Sequence, residues 1–359
     1  MKLQGYTVQH CLLPLSVPFR TALRSVTAVD EIRVVLTTDV GIVGIGSAAP
    51  TAAITGETVA SIMGALEQHI LPAIQGIDLE DRHQVFRVIR GSIVGNTSAK
   101  AAVDIALHDL YAQVHQESLL GYLGGILRPL WTDATVSLAD SEAMQRQAES
   151  LVTQGFKHLK IKLGGHDGHD VERVMAIRQV IPSDIAVWLD PNQAWTVRES
   201  LAACEVLADW AVEFIEQPVA AHDITGLSAI THASPIPIAA DESVFGLEQL
   251  RRILDLGAAD IINVKLMKTG GLATASTMAE LVAGAGLELM VGSMMEGMAS
   301  VTAAALFAVA YQAKYVDLDA AYFLRDTKAE GGLSYQGGNI TLPSEPGLGV
   351  HFIPEGVSS

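Results

Sequence analysis

GFKHLKIKLGG, residues 155–165, sets two lysines, Lys160 and Lys162, two apart in a run of aliphatic residues. In a strand, alternate side chains share a face. Both ammonium groups then point one way, and Leu159, Ile161 and Leu163 the other. Two charges side by side where a core is normally built need a reason, and the neighbouring strands supply it. Short apolar runs recur on either side, as ATVSLA, AVWLDPN, EFIEQP, PIAADES, IINVKL, ELMVGSM and KYVDLDA. Amphipathic stretches such as DVERVMAIRQVI lie between them, the pattern of a parallel sheet covered by helices.

The polar residues ending these runs fall at Lys162, Asp190, Glu216, Asp241, Lys268, Ser293 and Asp319, in steps of 25 to 28 residues. One strand, one helix and two short loops fill such a step. The repeat predicts an α/β fold of the TIM-barrel type, with its active site at the C-terminal ends of the strands. A doubly wound open sheet is the alternative, but it does not require a polar residue at the end of nearly every strand.

Ahead of the repeat, residues up to about 50 alternate in the strand manner, with a DVG turn. Residues 57–116 read as helices, and Thr97 and Ser98 are the candidate caps of the clearest one. The Gly-rich LGYLGGILRP then marks a boundary. The chain has 359 residues, a formal net charge of −17, 49% hydrophobic and 18% charged residues. That composition favours a large core and argues against nucleic-acid or anionic-membrane partners. Cys11 and Cys204 read as structural thiols of a reducing compartment. MKLQGYTVQH lacks an apolar core of signal-peptide length, and residues 297–313 read as a buried helix rather than a membrane span. A soluble, cytoplasmic protein is the expectation.

Asp190, Glu216 and Asp241 stand at three successive strand ends, each after an apolar run. Three like charges in one barrel mouth are costly unless a cation neutralises them. An all-oxygen donor set points to a hard ion, Mg2+ being the usual choice. Lys160 and Lys162 lie one strand before this trio, and Lys265 and Lys268 one strand after it. A lysine near a divalent cation and a second ammonium has its pKa lowered toward general-base range. Salt bridging is the plainer role of a strand-end lysine, and is kept for Lys265. Lys162 and Lys268, facing each other across a metal-held carboxylate, suit removal of an α-proton on one side and its return on the other: epimerisation or racemisation. The loop GGHDGHD (164–170) reads as solvated and His108 as structural. No dinucleotide fingerprint, G-x-S-x-G or P-loop is present.

LKIKL, LDPNQAW, FIEQP, AADES and INVKLMKTGG together resemble the enolase superfamily, muconate-lactonising subgroup, over essentially the whole chain. A lysine base working with Mg2+ belongs to that superfamily. The resemblance implies a (β/α)7β barrel over 126–320, an α+β capping domain over 1–125 with a specificity loop around 15–26, and a segment 321–359 returning to the cap. It also implies one Mg2+ per subunit, with Asn192 and Lys265 supporting its ligands, Lys160 helping to hold the substrate carboxylate, and a homo-oligomer. Asp317 and Asp319 share a face at the end of the eighth strand. They are either a hydrogen-bonded cap or, as in the dipeptide epimerases of the family, the seat of a dipeptide's α-ammonium. Arg24, in PFRTALRSV, matches the position that pairs with the glutamate carboxylate in Ala-Glu epimerases. Thr135, Ser293 and Met294 match other substrate-pocket positions. The implied activity is epimerisation of a small dipeptide such as L-Ala-D/L-Glu, serving recycling of cell-wall peptides. Cycloisomerisation, o-succinylbenzoate synthesis and N-acylamino-acid racemisation are the nearest rivals. A Schiff-base lyase and a non-catalytic scaffold are more distant ones.

Overall fold

The computed structural model describes residues 1–22 and 25–353. The chain opens with an antiparallel sheet of β1 (Leu3–Arg20), β2 (Ser25–Thr38) and β3 (Val43–Ala48). Helix Thr97–Val114 lies across it. Gly44 and Gly46 permit that approach: a Cβ on either would stand 2.2 or 2.1 Å from a helix carbonyl oxygen. Thr97 and Ser98 do not cap this helix. They sit within its first turn, behind Asn96 in the left-handed region, and the Glu57 carboxylate accepts from Ser98 N and Ala99 N at 2.9 and 3.2 Å. A distant acid thus satisfies the orphan donors that a local hydroxyl was expected to meet.

A two-residue strand, β4 (Leu130–Trp131), leads into eight parallel strands: β5 (Ala134–Val136), β6 (His158–Lys162), β7 (Ala186–Asp190), β8 (Val212–Glu216), β9 (Ile238–Ala240), β10 (Ile261–Lys265), β11 (Glu288–Gly292) and β12 (Tyr315–Asp317). Helices separate successive strands, giving the (β/α)7β order. Asp133 N donates to Val316 O at 3.2 Å, and Leu318 N donates to Thr132 Oγ1 at 2.8 Å, linking the last strand to the segment entering the first. Four short strands follow: β13 (Ala329–Gly331), β14 (Ser334–Gln336), β15 (Asn339–Thr341) and β16 (Val350–Phe352). The tail returns to the first segment, where Leu348 N donates to Asp109 Oδ1 at 2.7 Å.

Period-two alternation decides what fills the barrel. Outward residues such as Leu159, Ile161, Val187 and Leu189 pack beneath the helices. Trp188, Phe214, Ala239, Ile261 and Met290 form a separate apolar plug. Two residues further along β7, β8 and β10 come Asp190, Glu216 and Asn263, all buried. The strand bottoms are therefore a packed core, and the tops a buried polar layer. Met298–Ala310 is a buried helix, and among the described residues no helix is long and apolar enough to cross a membrane. Cys11 and Cys204 are buried and not disulfide-bonded.

Candidate active site

Lys160 and Lys162 project from β6 on one face, as their spacing requires. Lys160 is fully buried, with its Nζ 2.5 Å from Glu216, 2.7 Å from Asp317 and 3.1 Å from Asp190. Lys162 donates to Asp190 Oδ2 at 2.6 Å. The opposite wall is built differently. β10 ends at Lys265, and Lys268 lies on the single helical turn Leu266–Thr269 that follows, not at the strand end where the 25–28-residue steps put it. A helical turn brings residues three apart onto one side. Lys265 and Lys268 accordingly converge on one carboxylate, reaching Asp241 Oδ2 at 2.8 Å and Oδ1 at 2.6 Å. Lys268 also donates to the carbonyls of Asp241 (2.6 Å) and Asn263 (2.9 Å).

A cavity of about 550 Å³, counting its open mouth, lies above this layer. Thr135, Lys162, Asn192, Asp241 and Lys265 line one part of it, and Ser293, Met294, Asp317 and Asp319 another. Phe19, Thr21 and Ile54 reach it from the N-terminal segment. Lys160, Asp190, Glu216 and Lys268 form the buried layer joined to that lining through the ion pairs above. Arg24 lies outside the described residues. The loop 164–170 is exposed over His166–His169, as a solvated reading expects, and Asp167 and Asp170 pair with Arg173.

Charge is out of balance in this layer. Asp133, Asp190, Glu216, Asp241, Glu242, Asp317 and Asp319 are all buried, against the four lysines. Burial works to raise Asp190, but Lys162 and Lys160 outweigh it and hold that carboxyl below its usual value. Asp241 behaves likewise under Lys265 and Lys268. Burial pushes Glu242 up to about 8, helped by Asp241 and Asp190. Burial also lowers Lys268, with Asp241 opposing and Lys265 assisting, whereas the carboxylates around Lys160 overcome its burial and hold it high.

The donor set of Asp190, Glu216 and Asp241 fits a hard divalent cation in its chemistry: three buried carboxylates at or just past the ends of successive strands, with no nitrogen or sulfur among them. Asn192 Oδ1 and Glu242 Oε2, beside that set, are buried with no hydrogen-bond partner among the described residues. Asn192 N supports Asp190 Oδ1 at 2.9 Å, and Asn263 Nδ2 supports Glu216 Oε1 at 2.7 Å. Another trio, Asp133, Asp317 and Asp319, has carboxylate oxygens all within 4.8 Å of one another, close enough to share a cation or a proton.

Asp133, Glu242 and Asn263 escaped the sequence reading, and Glu296, which follows the pocket positions Ser293 and Met294, drew no role from it. Asp133 and Asn263 were findable, since each precedes a chosen residue, Thr135 or Lys265, by two. Glu242 and Glu296 carry no periodic signal. Glu296 folds back to accept from Met294 N at 2.7 Å.

Two family models match the chain: Mandelate racemase / muconate lactonizing enzyme, N-terminal domain, over residues 4–124, and Enolase C-terminal domain-like, over residues 143–356. The chain is 41% identical to an L-Ala-D/L-Glu epimerase of Clostridium acetobutylicum, covering 98% of this chain and 99% of that one. It is 35% identical to a hydrophobic dipeptide epimerase of Enterococcus faecalis, over 98% and 99%. The substrate-liganded L-Ala-D/L-Glu epimerase from Bacillus subtilis superposes with a TM-score of 0.95 at 39% identity, over 98% and 99% of the two chains. The Enterococcus faecalis dipeptide epimerase with Mg and L-Leu-L-Tyr gives 0.95 at 35% identity, over 98% and 100%.

Proposed function

The chain belongs to the mandelate racemase / muconate lactonizing enzyme family of the enolase superfamily, and on that premise we propose that it is a Mg2+-dependent dipeptide epimerase. It inverts the α-carbon of the C-terminal residue, with L-Ala-D-Glu and L-Ala-L-Glu as the substrate pair. The observation that carries this reading is the pair of lysines on opposed walls: Lys162 on the second barrel strand, bordering a carboxylate-rich cavity, and Lys268 just after the sixth, in the buried layer joined to that cavity through Asp241. Relatives named for the L-Ala-D/L-Glu reaction at 41% and 40% identity support the choice of substrate.

In this reading Asp190, Glu216 and Asp241 hold one Mg2+, supported by Asn192 and Lys265. When bound, the ion polarises the substrate carboxylate and stabilises the charge that develops as the α-proton leaves. Lys160 adds positive charge beside that carboxylate. Lys162 or Lys268 removes the α-proton, and the other returns a proton to the opposite face. Asp317 and Asp319 accept hydrogen bonds from the dipeptide's ammonium. Thr135, Ser293 and Met294 enclose the substrate, and Arg24 pairs with the glutamate side chain. The domain limits 1–125, 126–320 and 321–359 belong to the same reading, as do a homo-oligomeric state, a cytoplasmic location and a role in cell-wall peptide recycling.

Proton NMR in D2O with Mg2+ tests it. The C-terminal α-proton of L-Ala-L-Glu should wash out while the other diastereomer appears, and EDTA should stop both. An enzyme with confirmed bound metal that leaves every dipeptide unchanged would sink the proposal.

A further inference from the structure

Asp133 has no part in the chemistry above, yet it is fully buried and stands where a carboxylate is costly. It lies two residues before Thr135 and at the seam, its N–H bonded to Val316 O of β12. Thr132 Oγ1 donates to its Oδ1 at 3.3 Å, and its Oδ2 has no hydrogen-bond partner among the described residues. Its carboxylate comes within 4.8 Å of both Asp317 and Asp319. Those two line the cavity and Asp133 does not, so Asp133 is the rear member of the group. Three carboxylates this close cannot all remain ionised without compensating charge. Lys160 gives part of it, 2.7 Å from Asp317, but shares itself with Asp190 and Glu216. Asp319 Oδ2 accepts from the backbone N–H of Thr135 at 2.7 Å, and the Thr135 side chain also hydrogen-bonds this carboxylate, but neither donor carries a charge. The other groups bearing on Asp133 are Lys162 on β6 and the Tyr335 hydroxyl, which is turned to Leu318 O at 2.6 Å.

We propose that Asp133, Asp317 and Asp319 form one three-carboxylate seat for a primary ammonium, which shares a proton when the seat is empty and releases it when the ammonium enters. Asp133 is a positioning residue, acting through the two carboxylates that meet the ligand. The exchange balances: one proton leaves to solvent as one –NH3+ arrives, and no covalent bond within the peptide changes. The titration belongs to the trio rather than to one residue. Its direction agrees with burial pushing Asp133 up, reinforced by Asp317 and Asp319, and pushing Asp319 up to about 6. A proton serves better than a second metal ion here, since the Lys160 ammonium already lies against Asp317.

This inference rests on the dipeptide reading, and the experiment separates the two. Calorimetric binding of L-Ala-L-Glu to the Mg2+-loaded enzyme, in two buffers of different ionisation enthalpy, counts the protons released. About one per dipeptide is expected for the wild type, and close to none for Asp133→Asn. From about pH 5.5 to about pH 7, where the dipeptide amine stays charged, the wild-type KM should fall as pH rises while kcat follows its own profile. In Asp133→Asn, KM should be roughly tenfold higher at neutral pH and nearly flat with pH. The wild-type count and KM profile need no variant, so they stand if Asp133→Asn fails to fold. α-Proton exchange without proton release, or equal release from wild type and variant, overturns the shared proton and leaves the epimerase intact. No exchange and no binding overturns both. A second Mg2+ per chain, lost in Asp133→Asn, makes the trio a metal site and overturns the ammonium seat.

Discussion

The two lysine walls of the barrel achieve one end by different backbone means. On β6 the lysines are two apart on a single strand, and they spread over several acids: Lys160 over Glu216, Asp317 and Asp190, Lys162 onto Asp190. On the other wall they are three apart across a strand end and a helical turn, and both close on Asp241. Lys162 borders the cavity, whereas Lys268 is fully enclosed, held by two backbone carbonyls and with its ammonium disfavoured by burial. A lysine at the cavity edge can exchange protons with water directly, while one that is enclosed depends on its neighbours. The walls are chemically paired but not equivalent.

The hardest test of that pairing removes one lysine at a time. Lys162→Ala and Lys268→Ala should each lose at least about 10³-fold in epimerisation, since under the proposed mechanism each takes away one of two acid–base groups. Each variant should still wash deuterium into one diastereomer without inverting it, and the two should choose opposite diastereomers. Inversion surviving in either would break the two-sided arrangement.

Asp241 is where the walls differ most, so changing its clamp sharpens the contrast. Lys265→Met removes the 2.8 Å partner of Asp241 Oδ2 while leaving Lys268 in place. Loss of a supporting group of this kind costs roughly 10- to 100-fold in metal affinity or activity. Mg2+ titration and kcat should both register it, and should do so less severely than loss of Lys268. An effect as large as that of Lys268→Ala would make Lys265 a base in its own right.

The smallest expected effect lies behind the Lys265 wall. Burial pushes the Glu296 carboxyl up to about 7, against the opposing influence of Ser300, the Met294 N–H and Lys265. In the unfolded chain a glutamate titrates near about 4.3. A raised folded value means that the proton is held on folding. The associated stability is complete below about pH 4.3 and is lost as pH rises through about 7. Glu296→Gln should therefore melt close to the wild type at acid pH and a few degrees, on the order of 2–4 °C, above it in mild alkali. Equal melting temperatures at both pH values would show Glu296 to be ionised in the folded protein.

Sequence by itself determined the barrel, because a period of two within strands and steps of 25–28 residues between them are local properties that survive without coordinates. It also selected Asp190, Glu216 and Asp241, since a charge ending an apolar run stands out in one dimension. It misplaced Lys268 because a switch from strand to helical turn keeps both lysines on one side while changing their spacing from two to three. It assigned the wrong caps to helix Thr97–Val114 because Glu57, which meets those N–H groups, lies some 41 residues away. Asp133 was within reach of the strand period, two residues before Thr135, but its place beside Asp317 and Asp319 emerged only when closure of the barrel brought the segment before the first strand beside the last. Which lysine serves which acid, and where an acid finds no partner, depends on distances between strands far apart in the chain, and those only the tertiary structure decided.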